Sequence, residues 1–445
     1  MYRFLEKELL IWKTKPHRMP LLLRGARQVG KTHLVEQFGA RYFTHCVTIN
    51  FELQPQFMRC FDSLEPQYII SALELLTQQK IIIGQTLLFL DEIQECPRAI
   101  MAMRYFKEKL AELHVIGAGS LLEFALSGEN FRMPVGRVEF LYLTPLSFKE
   151  FLLATNETLL LERWEAFDQK NPMPSVIHEH LLKKTKEYMI VGGMPAAVSV
   201  YAETKRLLDC QDIQSSILNT YRNDFGKYAT KVVYQHLQVL FEKAPGFVAQ
   251  WIKYIKISPD ITPKDMRHAL SLLYKANIFY PIYSTTASGL PFISTQNEKK
   301  FKLLFLDIGL LKRACRLDTN LLLSEDILLL NQGGLAEQWV GQELIANGDS
   351  HESPALYFWA REERNSQAKV DYLMIIDGEI IPIEVKAGTA GRLKSLQIFM
   401  QEKKSVIGIQ LSQAPLSFDK KTNILSVPLY WIDRIPSLVR SLVAA

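Results

Sequence analysis

The sequence predicts an α/β protein of several domains, with a parallel sheet in its N-terminal third and a second α-β-β-β-α-β unit at its C-terminal end. Three observations carry this. Continuous apolar runs at 20–23, 86–90 and 114–117 read as strands buried on both faces, and helical spacing follows the first of them. Between 156 and 225 the apolar residues recur at i, i+3 and i+4, which predicts helices at 159–167, 178–188 and 202–221. Beyond Gly333 a helical pattern at 335–346 gives way to strand patterns at 356–360, 370–376 and 380–386, a helix at 392–403 and a strand at 405–411.

A chain of 445 residues is too long for one core, so two to four domains are expected. With 48% hydrophobic and 22% charged residues it has the profile of a folded soluble protein. No apolar run approaches the roughly 18 residues a membrane helix needs, and Met1 to Lys7 mix charged with apolar residues, unlike a secretion signal. The five cysteines (Cys46, Cys60, Cys96, Cys210, Cys315) show no C-x-x-C spacing, which argues against a disulfide framework and a zinc ribbon. A cytoplasmic protein with no membrane partner is expected. The net charge of +5 is mild, but residues 226–305 hold eleven Lys/Arg against four Asp/Glu. Such a local excess is either the footprint of phosphate-backbone binding or a solvated lysine-rich surface.

The first strand runs into Gly25-Ala26-Arg27-Gln28-Val29-Gly30-Lys31-Thr32, which fits G-x-x-x-x-G-K-[ST] without a mismatch, and a helical pattern continues from His33. In this strand–loop–helix setting the backbone N–H groups of the loop curl around phosphates and the helix N-terminus adds its positive end. Lys31 is then placed to reach the β- and γ-phosphates of ATP, and the Thr32 hydroxyl to ligate Mg²⁺. The strand at 86–90 ends in Asp91-Glu92, at the edge where ligands sit in open α/β sheets. Asp91 suits a Mg²⁺ ligand and Glu92 a group that polarises the attacking water. Ser120, after the third strand, is a candidate contact for the γ-phosphate or that water. Arg137 is the candidate arginine finger, with Arg132 and Arg98 behind it, acting in cis or from a neighbouring copy in a homo-oligomer.

Residues 25–32, 87–92, 117–120 and 136–151, the last including Leu143-Thr144-Pro145-Leu146-Ser147-Phe148, resemble the bacterial and archaeal AAA+ ATPases whose ATPase module precedes a C-terminal domain of unknown function. Val191-Gly192-Gly193-Met194-Pro195 resembles the Gly-Gly-x-Pro segment that follows the ATPase core in that group. The resemblance spans essentially the whole chain. It implies an ASCE-type sheet with a helical lid and makes ATP and Mg²⁺ the expected cofactors, but says little of what ATP is used for.

From 244 to 311 the order is helices, then two strands at 278–283 and 302–306. Thr262 is positioned as an N-cap before Pro263. Helices followed by a hairpin in a basic segment predict a winged-helix-like domain, with Arg267 and Lys275 as phosphate contacts, although winged helices also bind proteins.

In the last third, Asp377-Gly378 between two apolar runs is a strong hairpin signal. Glu384 and Lys386 lie two apart on one strand and share a face, and Asp371 begins the partner strand. Two carboxylates and a lysine converging at a sheet edge can hold a divalent cation and a phosphate oxygen for phosphodiester hydrolysis, with Glu337 as a further ligand and Gln397 orienting substrate. Asp371…Glu384-x-Lys386 in this element order resembles the PD-(D/E)xK nuclease superfamily over roughly 333–411, which implies a restriction-endonuclease-like fold. The expected domains are 1–155 (ATPase core), 156–225 (helical lid), 226–330 (winged-helix-like) and 331–445 (nuclease-like). The expected function is Mg²⁺-dependent ATP hydrolysis coupled to DNA or RNA binding or processing. The alternative is an ATP-dependent switch whose C-terminal domain does not cut. A translocating motor has less support, because no helicase-like motif set or clear pore loop is present.

Overall fold

The computed structural model describes residues 1–126, 136–227, 229–317, 333–361, 368–388 and 393–443. Two compact units divide the chain. The first is Met1–Thr144 with the short segments Lys275–Ile278 and Asp349–Ser353; the second is Pro145–Tyr274, Phe279–Gly348 and Pro354–Ala445. Among the described residues no helix is long and apolar enough to cross a membrane.

In the first unit, β1 (Leu21–Arg24), β2 (His45–Asn50), β3 (Thr86–Asp91), β4 (His114–Ala118) and β5 (Glu139–Tyr142) form an all-parallel sheet in the order β2-β3-β4-β1-β5. Every residue of β3 is buried, as is every residue of β4. Central parallel strands face packed layers on both sides, hence their unbroken apolar sequence. The edge strands β2 and β5 are only half-buried, and their mixed sequences hid them. The register sets Asn50 beside Asp91 and Asp91 beside Ala118, so the C-terminal ends of three strands lie level.

The second unit is built on β6 (Phe279–Thr285), β7 (Gln296–Phe305), β8 (Leu356–Ala360), β9 (Lys369–Ile376), β10 (Glu379–Val385), β11 (Gly408–Ser412), β12 (Ser417–Asp419) and β13 (Ile424–Pro428). They make one mixed sheet in the order β12-β13-β11-β10-β9-β8-β6-β7. The β9–β10 turn has positive φ at both Asp377 and Gly378, as a tight Asp-Gly hairpin requires. The expected winged-helix hairpin is β6–β7, and β6 pairs in parallel with β8. The boundary expected at 330 therefore falls inside a shared sheet. The physical reason is that a two-stranded ribbon leaves a row of open backbone donors and acceptors, which β8 fills. Alternation within the hairpin carries no trace of that partner. Thr262 does cap its helix: its hydroxyl accepts from Asp265 N at 3.2 Å, ahead of the helix Pro263–Lys275. The helix expected over 202–221 is two, Pro195–Thr204 and Asp209–Asp224, broken where Lys205 turns left-handed.

The Gly192-Gly193 segment is a packing joint. Asp307 accepts from Gly193 N at 2.6 Å and from Leu310 N at 2.9 Å, while Leu146 N donates to Gly193 O at 2.7 Å. Gly192 has φ +79° and ψ −176°, and a Cβ there would lie 2.2 Å from an Asp307 carboxylate oxygen. That backbone region is nearly exclusive to glycine. Gly192→Ala is expected to cost about 3 kcal/mol or more, strain and clash together. Urea unfolding followed by circular dichroism measures it, and a loss under about 1 kcal/mol would sink this account of the joint.

Candidate functional site

The loop 25–32 joins β1 to the helix Lys31–Tyr42, so Gly25, Ala26, Arg27, Gln28, Val29, Gly30, Lys31 and Thr32 form one strand-to-helix turn at the C-terminal edge of the sheet. Gly25 sits at φ +141°, and a Cβ there would be 2.1 Å from Leu143 O. The chain leaving β5 thus presses on the base of the loop, where Leu143 N donates to Arg24 O at 2.8 Å. Arg3 braces the loop from outside, its guanidinium donating to Val29 O at 2.9 Å and Thr144 O at 2.7 Å. No motif marks Arg3 in the sequence.

Lys31 is buried, and its ammonium donates to Gly25 O at 3.0 Å and Ala26 O at 2.8 Å. Burial pushes its pKa down to about 8, against the opposing pull of Glu92 and Asp91. Thr32 Oγ1 stands 3.0 and 3.2 Å from the two Asp91 oxygens. Asn50, level with Asp91 on β2, donates to Asp91 Oδ2 at 2.9 Å. Burial, with Glu92 beside it, raises the Asp91 carboxyl above its usual range. A hydroxyl and a carboxylate in contact form a donor set that fits Mg²⁺. Asn50 was not foreseen, because the mixed pattern of 45–50 showed neither strand nor alignment.

Glu92 follows at φ +47°, and its Oε2 accepts from Gln94 Nε2 at 2.6 Å. Ser120, just after β4, is buried, and its hydroxyl has no hydrogen-bond partner among the described residues. The arginines are elsewhere. Arg137 precedes β5, whose Glu139 aligns with Leu21 at the start of β1. That is the edge of the sheet opposite the loop, where Arg137 pairs with Glu108 at 3.3 Å. Strand direction, invisible in the local sequence, puts Arg137 at the edge away from the loop of its own chain. Arg98 is spent on the carbonyls of Phe61 and Asp62. Arg132 lies outside the described residues.

In the second unit Asp371, Glu384, Lys386 and Glu337 do gather. Asp371 Oδ2 accepts from Val385 N at 3.0 Å, and Lys386 Nζ donates to Glu384 Oε1 at 2.7 Å. An additional residue joins them. Lys302, on β7 and wholly buried, donates to Glu337 and stands 3.7 Å from Asp371 Oδ1, with the Phe358 ring 4.8 Å away. The sheet curls enough for the last strand to reach across β6 and β8 to β9. Burial works against ionisation of Asp371, but Lys302 and Lys369 hold its carboxyl below the usual range. Burial and Asp371 push Glu384 up to about 7, and its Oε2 is buried without a hydrogen-bond partner among the described residues. Among the described residues no group of three or more His, Cys, Asp or Glu side chains is arranged to hold a metal ion. With Lys302 on two of the three acids, this cluster does not fit a divalent cation as it is folded. Gln397 is exposed on the helix Lys394–Lys403.

Residues 17–152 match the family model described as an AAA domain. Residues 182–321 and 332–430 match two domains of unknown function, DUF8612 and DUF4143. No curated protein matches the chain. Among solved structures it is similar to a Walker-type ATPase of Pyrococcus abyssi, with 13% identity over 71% of this chain and 95% of that one and a TM-score of 0.45. It is also similar to the Aeropyrum pernix ORC1 protein in complex with DNA (14% identity, 72% and 92% covered, TM-score 0.30). A third is the Thermotoga maritima RuvB Holliday junction branch migration motor (12% identity, 63% and 89% covered, TM-score 0.30).

Proposed function

We propose that this chain, whose residues 17–152 form an AAA-type P-loop module, binds and hydrolyses ATP with Mg²⁺, and that its nucleotide state switches a nucleic-acid-binding second unit. The observation that carries the ATPase reading is the Thr32–Asp91 contact at 3.0 Å beside a buried Lys31 on the loop. Thr32 and Asp91 would hold Mg²⁺, which supplies positive charge to the phosphate oxygens. Lys31 exchanges the Gly25 and Ala26 carbonyls for phosphate oxygens. Glu92, steadied by Gln94, orients water for attack in line with the leaving phosphate. The buried Ser120 hydroxyl, without a partner among the described residues, suits a γ-phosphate or water contact.

The basic segment 226–305 supports nucleic acid as the second unit's partner. The non-cleaving switch is preferred to a nuclease because Lys302 already balances Glu337 and Asp371. Glu92→Gln should keep ATP binding and lower turnover by about 100-fold or more. Fluorescent-nucleotide binding and phosphate release read the two separately. Turnover at the wild-type rate would remove Glu92 from the role of base.

A further inference from the structure

The second unit holds a half-open cavity of about 620 Å³ between the helix Pro263–Lys275 and the β6–β7 hairpin. Its lining combines three features. Tyr254, Tyr274, Tyr283 and Phe301 supply rings: Tyr254 and Tyr283 lie 6.0 and 6.2 Å from the buried Phe301, centroid to centroid. Arg267 and Lys299, both exposed, supply positive charge. Gln296, Asn297 and Glu298 supply hydrogen-bonding groups at the start of β7.

Local hydrogen bonds fix the end of β6 and the start of β7. Thr285 and Thr295 hydroxyls meet at 2.6 Å, and Lys299 N donates to Asn297 Oδ1 at 3.0 Å. Burial raises the phenols of Tyr274 and Tyr283, so both stay neutral donors across the physiological range.

A solvated lysine-rich face needs no aromatic pit, and a purely structural aromatic cluster needs no open volume. We infer that this cavity accepts a nucleobase together with its attached phosphate. The base stacks against the tyrosine rings and the polar residues at the start of β7 meet its edge. Arg267 and Lys299 take the phosphate. Stacking on aromatic side chains beside cations is how bases are held once they are out of a duplex. The volume lies within the range of small-ligand sites. The inference deepens the nucleic-acid reading of the second unit and is independent of ATP hydrolysis. The same chemistry has two sources, an unpaired nucleotide of a single strand or a free nucleotide.

The test uses the full chain without ATP. The probes are a single-stranded 12-mer carrying 2-aminopurine, the same sequence as a duplex, and 2-aminopurine riboside 5′-monophosphate. Fluorescence quenching reports stacking, and anisotropy reports affinity. The variants are Tyr254→Ala and Arg267→Glu; the second alters an exposed residue and controls for misfolding, with melting curves for both. Quenching of the single strand, weakened about 10-fold or more by both variants and absent with the duplex, supports the site with a nucleic-acid source. Quenching of the monophosphate alone, with the same losses, supports it with a free-nucleotide source. No quenching by either probe, or quenching indifferent to both variants in folded protein, overturns it. ATP turnover is not read here, so an inactive P-loop would defeat the ATPase reading and leave this result standing. An empty cavity with duplex binding intact would remove the site and leave the broader nucleic-acid reading.

Discussion

Replacing Lys31 with alanine is expected to abolish ATP turnover, with a fall of at least about 100-fold, and to weaken nucleotide binding. The reason is geometric as well as electrostatic. The ammonium is buried at the neck of the loop and rests on two backbone carbonyls, at 3.0 and 2.8 Å. Carbonyls are weak counter-charges, and burial drives Lys31 toward neutrality. A triphosphate entering the loop supplies the anions the lysine lacks, so the charge contributes most when nucleotide is bound. Alanine removes that contribution while leaving the glycines and the Thr32–Asp91 pair in place. Phosphate release and calorimetric titration with ATP, each with Mg²⁺, measure the two effects. Turnover within a few-fold of wild type would end the claim that this loop is the catalytic site.

The second large effect is expected at Lys302. It is wholly buried, paired to Glu337 and 3.7 Å from Asp371. Lys302→Met removes the charge and keeps the bulk, which leaves Glu337 buried without its partner and Asp371 with Lys369 at 3.5 Å. Breaking a buried pair from one side costs about 3–5 kcal/mol. The double variant Lys302→Met/Glu337→Gln should recover a substantial part, because the stranded charge is gone. Chemical unfolding of the three proteins in the presence and absence of Mn²⁺ separates two views of the cluster. Mn²⁺ that stabilises wild type as much as Lys302→Met would mean that the lysine does not stand in the cation's place, and the nuclease reading would return. A loss under about 1 kcal/mol would show that the pair is not what holds the acids together.

Much of the first unit was legible because its chemistry is local. The octet 25–32 and the apolar strand before Asp91 mark a strand-to-helix loop and an adjacent pair of carboxylates within a few residues each. What sequence could not supply was alignment between distant segments. Asn50 matters because β2 lies level with β3, and Arg137 fails to reach the loop because β5 starts at the far edge. Arg3 acts through two backbone carbonyls, a role that selects no pattern. In the second unit the Asp-Gly hairpin and the Glu384–Lys386 pair were readable from spacing alone. Lys302 was not: one lysine among eleven basic residues in its segment, distinguished only by pointing inward on a strand that curls onto Asp371. The Gly192-Gly193 segment was visible as a motif, and its cause, Asp307, lies more than a hundred residues away.

The pairing of β6 with β8 has a consequence for any attempt to divide the protein. A fragment ending before Gly334 would keep the β6–β7 ribbon but strip its inner margin, leaving a flat row of amides and carbonyls of the kind that recruits foreign strands. The complementary fragment would lose Lys302 and strand its acids. Either cut therefore removes contacts that the intact sheet supplies, so the hairpin and the acidic cluster are best handled together.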